Sequence, residues 1–337
     1  MQTSTTLRAF AVQICAPLIA LAATLCASGF AHAAPLERLQ VIATIPDLAD
    51  VARRIGGDRV DVRTLAKGNE NIHRVALRPS SLVAVGRAEL FLQVGLSLEH
   101  AFVPGLLEAA RNNRLQPGKP GFVTVFEGFE AIEVPEDSSR RDAADVHPMG
   151  NPHVTLSPDA GERMASRILE GLIGVDPKGA DVYRANHGKY VVELKAARAR
   201  WAKIGKRLEG AKLVTYHREF SYLARAWGIA IVAQVESRPG VPPTPGHLAD
   251  LVKRIEQEGV RAIATAHWSN DRSVRFLVER TDAVALELPT MVGASARATS
   301  WIAMMDEIHE RLAAALLPDW EPTPEPADGD VVRGTPR

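Results

Sequence analysis

Cysteine is almost missing from this chain. Two of its 337 residues are cysteines, Cys15 and Cys26, and both fall in the first 26 positions. Net charge is missing too. Lys+Arg is 40 and Asp+Glu is 40. A uniformly basic nucleic-acid binder is excluded, because phosphate binding needs a surplus of Lys and Arg on one face. Several catalytic signatures are also missing. No G-x-G-x-x-G follows a strand, and no Walker A, H-E-x-x-H or G-x-S-x-G motif is present. After the N-terminal region no segment is apolar and long enough to cross a membrane.

What is present begins with an address. Arg8 is the only charge before Glu37, and an apolar run from Ala9 to Leu25, broken by Gln13, follows it. Ala31-His32-Ala33 then offers small residues at both cleavage-reading positions. This is the pattern of a secretory signal peptide cut after Ala33. The run falls short of the roughly 20 apolar residues of a span. Leu25 before Cys26 and Ile14 before Cys15 do not make a lipobox, which wants a small residue there. Removing residues 1–33 removes both cysteines and leaves 39 basic against 40 acidic residues, a net charge of −1. Disulfides and cysteine-ligated metals are then excluded. The expectation is a soluble protein of the periplasm.

Apolar residues make up 46% and charged residues 24%, a globular mixture long enough for two cores. Short apolar strands alternate with helices. Residues 39–46, 60–65, 90–94 and 121–125 read as strands, with Asp47 placed to cap the helix from Leu48 to Ile55. Ser157-Pro158-Asp159 opens a helix. Residues 135–152 are polar and read as a surface loop. Across 177–208, Tyr183, Tyr190, Leu194, Ala197, Trp201, Ile204 and Leu208 form one apolar stripe at helical spacing. About thirty residues at 1.5 Å each span about 45 Å. The second half repeats the βα pattern, with strands at 211–216, 229–235, 262–265 and 283–288. The fold class is therefore α/β: two lobes, each a mainly parallel sheet flanked by helices, joined by one long rigid helix. The predicted divisions are a signal peptide (1–33), an N-terminal lobe (34–176), a connecting helix (177–208), a C-terminal lobe (209–318) and a disordered tail (319–337).

Chemistry then rests on histidine. His73 lies in the loop after strand 60–65, His153 closes the loop 135–152, and His217 directly follows strand 211–216. In open α/β sheets ligands bind outside the carboxyl ends of the strands. Two of these histidines belong to one lobe and one to the other, which points to a shared site in the cleft. Imidazole suits Zn, Cu, Fe and Ni.

From residue 38 to 317 the chain resembles the substrate-binding proteins of metal ABC transporters, the zinc/manganese group. The segments that carry the resemblance are Gly68 to His73 with Arg78-Pro79-Ser80, Gly150 to His153 with Ser157-Pro158-Asp159, and Val214 to His217 with Tyr222 to Arg225. Glu236 with Pro239-Gly240, and Pro243 to Leu248, extend it. The resemblance implies that His73, His153 and His217 bind the metal. It also implies that the third histidine, in place of the carboxylate of manganese members, favours Zn²⁺ over Mn²⁺ as the transported ligand. The implied partner is an inner-membrane ABC permease with its ATPase. A metallochaperone that loads the site is a further candidate partner, and the protein is expected to be a monomer without nucleic acid or catalytic activity.

Two departures matter. Many members carry a glutamate near Thr265 and an aspartate near Pro289, the latter commonly a fourth ligand, and both are missing here. His267, Glu70 and water are the candidates for that position. His147 reads as a solvated loop residue, or else as a capture ligand at the cleft mouth. Glu236 reads as a carboxylate holding the loop 239–245. His100, His187, His247 and His309 read as surface or packing residues. Three rival functions remain, of which the first two are a manganese or iron carrier of the same family and a three-histidine zinc hydrolase with Glu70 or Glu219 as base. A surface adhesin on the same fold is a third, and its expected mark, a lipobox, is missing.

Overall fold

The computed structural model describes residues 38–135, 147–269 and 272–321. These fall within one compact unit, Arg38–Arg337. The signal-peptide reading of residues 1–33, and the tail beyond residue 321, lie outside the described residues.

The first lobe is built on β1 (Leu39–Ala43), β2 (Val60–Thr64), β3 (Leu90–Gln93) and β4 (Phe122–Thr124). All pairs are parallel and the order is β2-β1-β3-β4. Parallel strands need crossovers, and the sequence supplies α1 (Pro46–Gly56) and α2 (Pro79–Arg87) between them. Each helix starts on a proline, whose fixed φ and missing N–H suit a first turn. A short α3 (Val103–Ala110) leads to β4, and α4 (Ala160–Val175) packs beneath the sheet. The second lobe repeats the plan. Strands β5 (Lys212–Thr215), β6 (Ala230–Gln234), β7 (Ala262–Ala266) and β8 (Val284–Leu288) are again parallel, in the order β6-β5-β7-β8. Helices α6 (Ser221–Trp227), α7 (Pro245–Glu258), α8 (Arg272–Val278) and α9 (Trp301–Leu316) surround them.

The link is α5 (Ala180–Arg207), 28 residues long, which packs on α1 and α4 in the first lobe and on α6 and α9 in the second. The stripe Tyr183, Tyr190, Leu194, Ala197 and Trp201 is buried along it, as its spacing requires. One hydrophobic cluster runs from β1 through α5 to α9 and the inner face of the second sheet. A smaller cluster under α7 and α8 closes that sheet's other face.

One local expectation is corrected. Asp47 does not cap α1. The N-cap is Ile45, without a side-chain bond, and Asp47 Oδ1 instead accepts from the amide of Val292, 245 residues away. Asp50, one turn on, accepts from the amide of Trp301 at the start of α9. Both carboxylates therefore tie α1 to the second lobe. Thr244 does cap α7, accepting from the His247 amide.

Candidate metal centre

In both sheets the strand order reverses beside the first strand, at β1/β3 and at β5/β7. That is where loops at the carboxyl ends part and leave a crevice. His217 leaves β5 at this point, and the long loops after β2 and β4 bring His73 and His153 to meet it.

The same local device sets two of the three. In Asn71-Ile72-His73 and in Asn151-Pro152-His153, the asparagine Oδ1 accepts from the histidine's own amide, 2.9 Å in each case. Such Asx turns bend the chain without help from a distant partner. Gly68 lets the His73 loop reach the other lobe, because a Cβ there would overlap the backbone of Val292 and Gly293.

His73, His153 and His217 are all buried, and their ligand atoms lie within 4.8 Å of one another. His73 Nε2 and His153 Nε2 are 3.2 Å apart. Two nitrogens on one tetrahedral zinc, at about 2.0–2.1 Å each, stand about 3.3 Å apart. Two of the remaining ring nitrogens are steered. His153 Nδ1 donates to Asn151 Oδ1 at 2.9 Å, and His217 Nδ1 donates to Glu236 Oε2 at 3.1 Å. Each bond fixes the tautomer with an Nε2 lone pair facing the cluster. Glu236 also accepts from the Gly240 amide, so it holds the 239–245 loop as its sequence position suggests. Burial, and then the neighbouring histidines, push the pKa of His73 and His153 well below the usual imidazole value. Both are neutral at physiological pH, the form that binds metal.

His147 is not a solvated loop residue. It is buried, its ring centroid lies 4.9 Å from that of His73, and its Nδ1 donates to Ser97 O at 2.9 Å. Burial lowers its pKa to about 4. The receiving carbonyl is set by Gly95, Leu96 and Ser97, three consecutive residues at positive φ. That turn is held by Glu99, a buried carboxylate that accepts from Thr44 Oγ1 and from the amides of Val94 and Gly95. No sequence signal marked Ser97 or Glu99, because their role depends on a strained turn. His147, His153 and His217 line an outer pocket of about 160 Å³.

The fourth-position candidates divide. Glu70 is turned away, accepting from the Lys67 amide and facing Arg78. His267 is half-buried after β7 and stands outside the three-histidine group. Glu219 is 2% exposed, and its carboxylate oxygens have no well-formed hydrogen bond, with only the amides of His217 and of Glu219 itself beside them. Burial raises its pKa, partly offset by His217.

Two parallel lobes on a rigid helix, with converging imidazoles at their facing strand ends, define a binding protein for a transition-metal ion. The family described as zinc-uptake complex component A, periplasmic (ZnuA), matches residues 41–315, and the chain belongs to that family of metal-ion ABC-transporter substrate-binding proteins. It is 25% identical over 272 residues to the manganese ABC transporter substrate-binding lipoprotein PsaA of Streptococcus anginosus, covering 79% of this chain and 84% of the relative. It is 25% identical over 236 residues to the iron ABC transporter substrate-binding lipoprotein MtsA of Streptococcus pyogenes serotype M1, covering 68% and 73%. In fold it is similar to a crystal structure of ZnuA, with a TM-score of 0.69 and 22% identity over 83% of this chain and 99% of that one. The protein is thus an extracytoplasmic metal-binding transport protein that works with a membrane ABC transporter, and not an enzyme. The hydrolase alternative falls with that assignment.

Proposed function

We propose that the protein captures Zn²⁺ in the periplasm and delivers it to an ABC permease, with His73, His153 and His217 as ligands. The observation that carries this is the convergence of three buried imidazoles from both lobes within 4.8 Å. Zinc is favoured over manganese because all three donors are nitrogens. Manganese fits oxygen-rich sites better, whereas imidazole suits zinc. The signal peptide 1–33, the lobe limits 34–176 and 209–318, the helix 177–208 and the tail 319–337 are part of this reading, as is a monomeric carrier.

The lowered pKa values of His73 and His153 revise the expected pH response. A neutral imidazole is the ligand, and a depressed pKa keeps it neutral to lower pH. Proton competition therefore starts below the ordinary histidine value of about 6.5 rather than at it. Metal analysis of untagged protein, followed by competition titration of Zn²⁺ against Mn²⁺, tests the metal. Zinc titration of His73→Ala, His153→Ala and His217→Ala tests the ligands. Each variant is expected to lose affinity strongly, and unchanged affinity in all three would sink the assignment.

A further inference from the structure

We propose that Glu219 is the carboxylate that completes the metal site. This rests on the three-imidazole reading above.

Among the described residues, Glu219 is the buried carboxylate whose two oxygens have no well-formed hydrogen bond, with only the amides of His217 and of Glu219 itself beside them. Asp47 and Glu99 accept backbone amides, and Glu307 accepts from Ser295 and faces Arg311. A buried carboxylate with so little support weakens a fold when it is charged, and a purely structural role would have supplied a firmer partner. A cation is the partner that a transport site supplies on loading.

Its placement agrees. Glu219 lines an inner cavity of about 30 Å³ together with His153, Thr290 and Trp268, and apolar side chains such as Ile45 and Ile72 form much of the remaining wall. That volume holds a single ion or water. His153 lines both this cavity and the larger pocket, so the imidazole cluster is flanked by space on two sides. Glu219 is the acid on the side of the smaller cavity. This carboxylate comes from the β5 loop, two residues after His217.

Glu219 lies outside the group of ligand atoms within 4.8 Å, so ligation draws its side chain across the cavity toward the ion. The result is three neutral imidazoles and one carboxylate, a closed tetrahedral set that halves the charge of a divalent ion and leaves no bound water to react.

The test compares wild type with Glu219→Gln, Glu219→Leu and His73→Ala. Zinc affinity is read by competition with a chelator, coordination by the visible spectrum of the Co²⁺-loaded protein, and fold integrity by thermal melting without metal. Expected for both Glu219 variants are at least tenfold weaker zinc binding, an altered Co²⁺ spectrum, and a metal-free melting temperature equal to or above wild type. Wild-type affinity, or a wild-type Co²⁺ spectrum despite weaker binding, overturns ligation by Glu219. A lower melting temperature in both variants also overturns it, since the carboxylate would then be serving the fold. If His73→Ala keeps wild-type affinity, the three-imidazole reading fails instead, and the two failures are told apart.

Discussion

At the scale of single residues, the site is governed by what holds the ligands. Asn151 fixes both the backbone and the ring of His153, and Glu236 orients the ring of His217. Outer partners of this kind typically contribute about 10–100-fold to metal affinity. Asn151→Ala and Glu236→Gln should each weaken zinc binding within that range by chelator competition, with the three histidines intact. A second residue-scale prediction concerns His309, which is fully buried on α9. Its Nδ1 donates to Met305 O, its Nε2 accepts from the Trp227 indole at 2.8 Å, and it stacks on Trp201. Burial lowers its pKa to about 4. A depressed folded pKa means the unfolded chain takes the proton first. The contribution of His309 is therefore whole above about pH 6.5 and is lost as pH falls toward 4. The shift corresponds to on the order of 3 kcal/mol. Urea unfolding of His309→Gln should show a shallower loss of stability over that interval than wild type. The three clustered histidines were legible because each follows a strand in a loop. The burial of His147 and Glu219 was not, because burial by distant loops leaves no local mark.

At the scale of elements, α5 decides the distance between the lobes. Its apolar stripe was readable from spacing alone, but its closest approach was not, because glycine carries no hydrophobic signal. Gly205 packs against the Trp227 indole of α6, and an added Cβ would overlap the ring. Glycine ordinarily weakens a helix by up to about 1 kcal/mol relative to alanine. Here the close approach reverses that sign. Gly205→Ala should destabilise by about 1–3 kcal/mol, the usual cost of overpacking, in equilibrium urea unfolding. The tie from Asp47 to Val292 was equally hidden. A carboxylate just after Pro46 reads locally as a cap, and only the folded chain shows the competing acceptor role.

At the scale of the whole molecule, the single cluster running through β1, α5 and α9 joins the lobes as one solid. Asp47 and Asp50 add hydrogen bonds across the same junction. Large hinge closure would have to break that packing. Small-angle scattering curves of metal-free and zinc-loaded protein should therefore superimpose, and a contraction on loading would contradict the rigid-link reading. Thermal melting should show one cooperative transition, raised by zinc. Ligand at about 100 times its Kd adds about 2.7 kcal/mol when only the folded state binds it.

The shared core also limits how this receptor can be taken apart. Each lobe lends the other part of its interior, so neither is a module in the engineering sense. A chimera that joins one lobe to the opposite lobe of a manganese or iron relative would inherit a mismatched seam along α5. Exchanging metal preference between relatives is then a matter of transplanting the loops at the strand ends, and leaving the interior with its own chain.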